Sequence, residues 1–249
     1  MKIFISGSIV IKVLPKQVKA SILKIIQQNL EILVGDASGI DSLVQDFCKE
    51  NKYLNLTIYT VELFPRYLAD EKFKIKKINV PSNIKKGRER QQEKDKQMTF
   101  DSKYSFVIWD GKSKGSYTNI IRAMENNKKA KVYLNEISNF LSQDKIKKEE
   151  IEYIFRKNNG YTAKEVLGYL SNELETAFKR TQELNNFLLK NLIIKKENNI
   201  YLPMETYQDL FILDKYRGKV KGIKFKNEFL DWIQNELKVQ SRSFQSSLF

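Results

Sequence analysis

Three apolar runs in the first half of the chain each end in small residues, and a helix-period pattern follows each of them. Lys2-Ile3-Phe4-Ile5-Ser6 closes on Gly7-Ser8. Glu31-Ile32-Leu33-Val34 runs into Gly35-Asp36-Ala37-Ser38-Gly39-Ile40-Asp41. Phe106-Val107-Ile108-Trp109 runs into Asp110-Gly111-Lys112-Ser113-Lys114-Gly115-Ser116. The intervening helical patterns carry Val18, Ile22, Ile25 and Ile26 after Pro15, then Leu43, Val44 and Phe47 within 42–49, then a run from Thr118 to Asn127. Further strand-like runs occupy 56–61, 104–109 and 131–134. Strand–helix alternation of this kind restricts the chain to a parallel sheet with right-handed crossovers, an α/β unit with flanking helices, expected over 1–138. Residues 62–86, with Lys72, Lys74, Lys76 and Lys77, read as a hairpin or as an excursion over the ligand edge, and the polar stretch 87–99 as a solvated helix.

The second half changes character, and a smaller, mostly α domain is expected over 147–238. Residues 147–157 are helix-periodic and stop at Asn158-Asn159-Gly160. Thr162 and Glu165 have capping-box spacing for a second helix. A third helix is expected from Ala177 to Lys190, with Leu184, Phe187 and Leu188 inward. Residues 192–202 then read as a hairpin turning at Asn198-Asn199. Three helices and a hairpin resemble a winged helix. Amphipathic helices are expected at 207–216 and 226–238, and a mobile Ser-rich tail at 239–249.

Composition removes several chemistries. There is no histidine, so serine–histidine and cysteine–histidine catalysis fall away, as do the usual transition-metal sites. One cysteine, Cys48, permits no intrachain disulfide; it sits on an apolar helical stripe and suits a reducing cytoplasm. Any general acid or base is Asp, Glu, Lys or Tyr. The net charge is +14, with +10 on residues 1–140 (25 basic, 15 acidic) and +4 on the remainder (19 basic, 15 acidic). An anionic partner is favoured over a basic one. No apolar span is long enough for a membrane helix, so no membrane partner is expected, and no cofactor or metal is assigned. Self-association is left open.

The candidate ligand residues lie at the strand ends. Backbone amides of Gly7 and Ser8 can hold phosphate or sugar. Small residues Gly35, Ala37 and Gly39 let a backbone approach a ligand closely, and Asp36 lies between them. Asp41 is a helix cap, a ribose ligand or an acid–base group. Gly111, Ser113, Gly115 and Ser116 supply amides and hydroxyls, with two lysines nearby, before a helix N-terminus, which suits phosphate. The spacing is not that of a Walker A loop. Trp109 either stacks on a base or closes the core. Arg88 can reach over the pocket. Asp41, Asp95 and Asp110 are the candidate catalytic carboxylates.

The run Lys94-Asp95-x-x-Met98, Asp101, and Val107 through Ser116 resembles the SLOG superfamily, in the branch carrying a W-D-G-x-S-x-G-T run. Phe4-Ile5-Ser6-Gly7-Ser8 and Gly35-Asp36-Ala37-Ser38-Gly39-Ile40-Asp41 agree with it, and the resemblance covers residues 1 to about 135. It implies a Rossmann-like fold that binds nucleotides or nucleotide-derived ligands. Relatives include phosphoribohydrolases that cleave an N-glycosidic bond and the DNA-processing protein of natural transformation, which binds single-stranded DNA. The hydrolases carry Gly-Gly-x-Gly-Thr-x-x-Glu; here Gly115-Ser116-Tyr117-Thr118-Asn119 lacks the glutamate. In the transformation protein an arginine stands where Ser38 is.

Three functions follow as expectations. The first is a nucleotide sensor coupled to a DNA- or partner-binding winged helix, with Lys179, Arg180, Gln182 and Asn186 on the reading helix and Lys195 and Lys196 on the wing. The second is a nucleotide N-glycosidase. The third is direct single-stranded DNA binding, with Phe64, Tyr67 and Phe73 stacking on bases.

Overall fold

The structure, a computed structural model, describes residues 1–173 and 178–246. It divides into two compact units, Met1–Tyr153 and Ile154–Phe249.

The first unit is α/β, with a seven-stranded, mostly parallel sheet. In chain order its strands and helices are β1 (Lys2–Gly7), α1 (Lys16–Gln27), β2 (Glu31–Val34), α2 (Ile40–Glu50), β3 (Leu56–Thr60), β4 (Lys74–Lys77), α3 (Gly87–Asp101), β5 (Tyr104–Trp109), α4 (Lys114–Glu125), β6 (Lys129–Leu134) and β7 (Asn139–Phe140). The sheet order is β4-β3-β2-β1-β5-β6-β7, with only β7 antiparallel to its neighbour. The chain therefore builds outward from β1 to β4, then returns to place β5 on the other side of β1. That reversal leaves a crevice beyond the carboxyl ends of β1 and β5, where ligands of open α/β sheets bind.

Apolar residues explain the layers. Val18, Ile22 and Ile25 of α1 and Val44, Phe47 and Cys48 of α2 bury against Ile3, Ile5, Ile32, Val34 and Ile58 on one sheet face. On the other face Met98 of α3 packs with Phe4, Leu33 and Tyr59.

Several boundaries differ from the sequence-based expectation. Residues 74–77 form a fourth parallel strand beside β3, neither a hairpin nor a free excursion. α4 begins at Lys114, four residues before the expected Thr118, because Asp110 Oδ1 accepts the amides of Lys112 (3.0 Å) and Ser113 (2.8 Å) and turns the chain at once. α2 begins at Ile40, so Asp41 lies inside its first turn and Gly39 holds the cap position. α3 is not simply a solvated helix, since Lys94, Met98 and Thr99 on it are buried.

The second unit takes the end of α5 (Lys148–Asn159), then α6 (Ala163–Glu173), α7 (Thr181–Lys190), a hairpin of β8 (Ile194–Glu197) and β9 (Ile200–Pro203), a second hairpin of β10 (Phe211–Tyr216) and β11 (Lys219–Phe225), and α8 (Asn227–Ser246). The capping box forms as its spacing predicts: the Thr162 amide donates to Glu165 Oε2 at 2.8 Å and the Glu165 amide to Thr162 Oγ1 at 3.3 Å. The β8–β9 turn is Asn198-Asn199, with φ of 47° and 62°, the left-handed pair that a two-residue hairpin turn requires. The expected helix at 207–216 is instead a short 3-10 turn followed by β10, whose inward Phe211 packs with Phe225 and Phe229. The expected tail from 239 continues α8 as helix to Ser246. The expected third helix starts at Thr181, so Lys179 and Arg180 precede it, and Ala177 lies outside the described residues. Among the described residues no helix is long and apolar enough to cross a membrane.

Candidate functional site

A cleft of about 710 Å³ opens at the β1–β5 crevice of the first unit. Phe4, Ser6, Gly7 and Ser8 come from β1 and the residue that follows it, Lys94, Asp95 and Met98 from α3, and Asp110 to Ser116 from the β5–α4 corner. Ala37 and Asp41 enter from the β2–α2 loop and the first turn of α2, and Arg88 stands on the first turn of α3. The crevice thus gathers Gly7, Ser8, Ala37, Asp41, Arg88, Asp95, Asp110, Ser113, Gly115 and Ser116 of the sequence-derived candidates. Gly35, Asp36, Gly39, Trp109 and Gly111 do not line it.

Four of these five have a structural reason in their packing. Trp109 is fully buried, its indole N–H donates to the Ser113 carbonyl at 3.2 Å, and its ring meets Tyr117, so the ring closes the core beneath the corner. A Cβ on Gly35 would collide with the carboxylate of Asp41 and the ammonium of Lys94. Gly39 has φ +80°, and a Cβ there would strike the backbone of Ile9. These two glycines make room for the charged groups of Asp41 and Lys94 and for the chain at Ile9.

Asp36 is a structural anchor. Its carboxylate is fully buried and accepts from Arg66 Nη2 (2.7 Å), Lys94 Nζ (2.7 Å) and Thr60 Oγ1 (2.8 Å). Burial pushes its pKa up, but the Arg66 hydrogen bond, the Lys94 charge and the Thr60 hydroxyl together hold it well below the usual carboxylate range. Lys94, itself 2% exposed, reaches from α3 to this anchor and also lines the cleft.

The three remaining carboxylates divide by environment. Burial pushes Asp41 up to about 6, helped by the charges of Asp95 and Asp36 and opposed by Lys94 and the Ala37 amide, which donates to Asp41 Oδ2 at 3.2 Å. Burial also raises Asp95, against the opposing charges of Lys94 and Arg122 and a hydrogen bond from Asn119. Asp110 goes the other way: burial is outweighed by the amides of Ser113 and Lys112 and by the Ser8 and Ser113 hydroxyls. Asp110 is therefore a fixed anion that shapes the corner. Asp41 and Asp95 carry a proton more readily and are suited to exchanging one.

Ser8 ties the corner together. Its Oγ donates to Asp110 Oδ1 (2.9 Å), accepts the Asp110 amide (3.1 Å) and meets Ser113 Oγ at 2.7 Å. Ser113 Oγ in turn donates to Ser116 Oγ at 2.9 Å. These hydroxyls frame the N-terminus of α4, whose first-turn amides have no intrahelical acceptor. Arg88, Lys112 and Lys114 are exposed at the rim, and Arg88 and Lys114 make no ion pair with any described residue. A helix N-terminus with cations beside it attracts a phosphate or carboxylate. Deeper in, Ser6 Oγ is buried without a hydrogen-bond partner and lines the cleft with Phe4 and Met98. An orphaned buried hydroxyl costs about 1–3 kcal/mol, which a polar group of a bound molecule would offset.

The sequence reading missed Ser6, Arg66, Lys94 and Asn119. Lys94 carried a usable signal: it stands four residues before Met98, and residues so spaced share a helix face. Arg66 lies in a loop and gave none. The proposed base-stacking aromatics do not form a platform: Phe73 is buried and Tyr67 donates to Asp46 Oδ1, leaving only Phe64 widely exposed. On the second unit Gln182 and Asn186 are exposed one turn apart on α7, while Lys195 is tied to Glu197 at 2.8 Å and Lys196 lies over the Tyr201 ring at 5.6 Å.

Comparison of the chain with protein-family models, curated proteins and solved structures finds no match in any of the three.

Proposed function

We propose that this protein binds a nucleotide or nucleotide-derived molecule in the β1–β5 cleft, as a sensor of the SLOG type with a Rossmann-like first unit. The observation that carries this reading is the convergence in one crevice of an anion-attracting helix N-terminus, the exposed rim cations Arg88 and Lys114, and two carboxylates of raised pKa. A phosphate suits the Ser113–Ser116 end. Sugar hydroxyls suit Asp41 and Asp95 as hydrogen-bond acceptors. A flat base fits the apolar floor at Phe4 and Met98, with Ser6 to bond it. Calorimetric titration with nucleoside mono-, di- and triphosphates should give saturable binding, weakened at least tenfold by Lys114→Glu. Absence of binding by every nucleotide would remove the reading.

The second unit is read as a winged helix that engages DNA or a protein partner. Its support is the order α5, α6, α7, β8–β9, with Gln182 and Asn186 outward on α7. A salt-dependent affinity for duplex DNA, lowered by Gln182→Ala with Asn186→Ala, is the expected result.

A second reading is N-glycosidic cleavage, favoured by Asp41 and Asp95 lining one cleft with raised pKa values. Whichever of the two holds the proton would give it to the departing base, the other, ionised, would stabilise the positive charge developing on the sugar, and a water molecule would add to the sugar carbon and complete the hydrolysis. Asn119, however, stands where the resemblance calls for glutamate, and it lines this cleft as a neutral amide. Binding is therefore preferred. Release of free base from nucleoside monophosphates, abolished by Asp41→Asn and by Asp95→Asn, would reverse that preference.

A further inference from the structure

The second hairpin of the second unit, β10–β11, has a base and a tip of opposite character. At its base Phe211 and Phe225 are 5% and 2% exposed and pack on Phe229, with ring centroids 5.5 and 4.5 Å from it. Phe225 also exchanges backbone hydrogen bonds with Tyr161, at 2.7 and 2.9 Å. The arm therefore projects from a fixed root. Beyond Asp214 its chemistry is uniform: Lys215, Arg217, Lys219 and Lys221 place four cations within seven residues, with no acidic residue among them. All four are exposed, and none has an ion-pair partner among the described residues. Lys224, nearer the root, is paired to Asp214 at 3.2 Å and does not belong to this set.

Two geometric details show how the cations are presented. The register shifts between Asp214 and Lys215, leaving Lys221 as an extra residue on β11, and such a bulge sharpens the local twist. Tyr216 and Lys219 are directly paired and so share a face, and the Arg217 guanidinium lies 5.4 Å from the Tyr216 ring, which is 61% exposed. The turn itself is Arg217-Gly218, with φ of 49° and 78°. Asn is the residue that tolerates the first of these positions, as the same chain shows at Asn198; an arginine there is strained. Lys52 and Leu192 share this left-handed backbone, so what distinguishes Arg217 is its place: its guanidinium stands at the exposed tip over Tyr216, with no ion-pair partner among the described residues.

We propose that the β10–β11 hairpin is a DNA-contacting arm that supplies phosphate contacts to duplex DNA, in addition to α7 and the β8–β9 hairpin. A two-stranded ribbon has the width of the major groove, so cations on both edges can reach the flanking phosphates. The β8–β9 hairpin is the poorer electrostatic arm, since its Lys195 is already neutralised by Glu197. An acidic protein is the competing partner. The alternation of cations with an exposed tyrosine on a narrow ribbon suits a charged groove better than a broad acidic surface.

The inference rests on the second unit being a DNA-binding module, and the test separates the two. Duplex DNA affinity of the full chain is measured by fluorescence anisotropy across a salt series. Three variants are compared with wild type: Lys215→Gln/Arg217→Gln/Lys219→Gln/Lys221→Gln, Lys195→Gln/Lys196→Gln, and Arg217→Asn. Removing one cation–phosphate pair lowers the slope of log K against log salt by about 0.9, so the quadruple variant should lose up to about 3.6 and the double variant less. Arg217→Asn should weaken binding while leaving the melting temperature equal or higher, because asparagine relieves the strained turn. A quadruple variant that binds DNA with an unchanged slope overturns the arm while leaving a DNA-binding second unit intact. Wild-type protein that shows no salt-dependent DNA affinity, but binds an acidic polypeptide through this hairpin, overturns both.

Discussion

The two ends of the parallel sheet carry cavities of nearly the same size and very different chemistry. At the carboxyl end, the cleft of about 710 Å³ is lined by carboxylates, serines and cations from several loops and helices. At the amino end, a cleft of about 740 Å³ is lined by Ile3, Ile25, Tyr104, Phe106, Phe140 and Leu141, with Lys24, Lys129 and Lys131 as its charged side chains. Lys131 is already occupied: its Nζ donates to Ser21 Oγ at 3.0 Å and lies 4.1 Å from the centroid of Phe140. Volume does not distinguish these cavities. The difference lies in convergence: each cleft holds one orphaned buried hydroxyl, Ser6 at the carboxyl end and Ser105 at the amino end, but only the carboxyl end adds groups of opposite sign and an α-helix N-terminus. The topological reversal at β1 and β5 produces that convergence, since strand ends on both sides of the reversal send their loops apart and leave a space between them.

The contrast can be broken most severely at Lys94. Replacing it with methionine leaves Asp36 buried with Arg66 and Thr60 as its remaining donors and removes the cation that restrains the pKa of both Asp41 and Asp95. Loss of one member of a buried pair costs about 3–5 kcal/mol; with Arg66 retained, about 3 kcal/mol is expected for Lys94→Met. Urea unfolding measures it. A loss below about 1 kcal/mol would mean that Arg66 alone satisfies Asp36.

Asp41 gives the next effect, and it depends on pH. In the folded chain Asp41 keeps its proton up to about pH 6, whereas the unfolded chain releases it near the ordinary value of 3.8. Between those values the folded state holds more protons, so this contribution to stability falls as pH rises across that window. Asp36 acts in the opposite sense: its depressed pKa stabilises the fold above the ordinary carboxylate value, and that contribution is lost as pH falls below it. Asp41→Asn should therefore remove a decline of about 2 kcal/mol between pH 4 and 6, leaving the acid-side loss from Asp36 in place. Unfolding free energies at a series of pH values separate the two carboxylates.

Ser8→Ala is expected to cost about 1–2 kcal/mol, because it deletes the hydroxyl shared by Asp110, Ser113 and Ser116. It should also weaken nucleotide binding about tenfold, because the α4 amides are then held less firmly. Nucleotide affinity equal to wild type in a folded Ser8→Ala protein would place the anion elsewhere in the cleft.

The scaffold of this comparison was legible in the sequence, and its inner wiring was not. β2 and β5 fall where apolar runs predict them, because a strand buried on both faces has to be apolar throughout. Gly7, Ser8, Asp41, Asp110, Ser113, Gly115 and Ser116 were legible as cleft candidates because they follow strand ends, whereas Gly35 and Gly39, chosen on the same ground, make room for packing instead. Lys94 was harder to read, since a buried lysine looks like a surface one until its partner, 58 positions away, is known. The role of Trp109 depended on tertiary placement: an aromatic at a strand end serves core or ligand equally well until its neighbours are fixed. β10 was misread for a related reason. Phe211-Ile212-Leu213 satisfies a helical stripe and a half-buried strand alike, and only pairing with β11 decides between them.

The smallest expected effect lies at the amino-end cleft and sharpens the contrast by its absence. Lys131→Met removes a cation whose pKa is lowered by burial and by the nearby charge of Lys24, from an apolar surface made by Phe106 and Phe140. Loss of the Ser21 hydrogen bond opposes relief of the repulsion from Lys24, and methionine keeps the contact of the side-chain stem with both rings. The net change in stability should stay within about 0.5 kcal/mol, and nucleotide affinity should not change. If Lys131→Met lowers nucleotide affinity while Lys114→Glu does not, the ligand occupies the amino end, and the reversal of strand order at β1 and β5 is not what positions it.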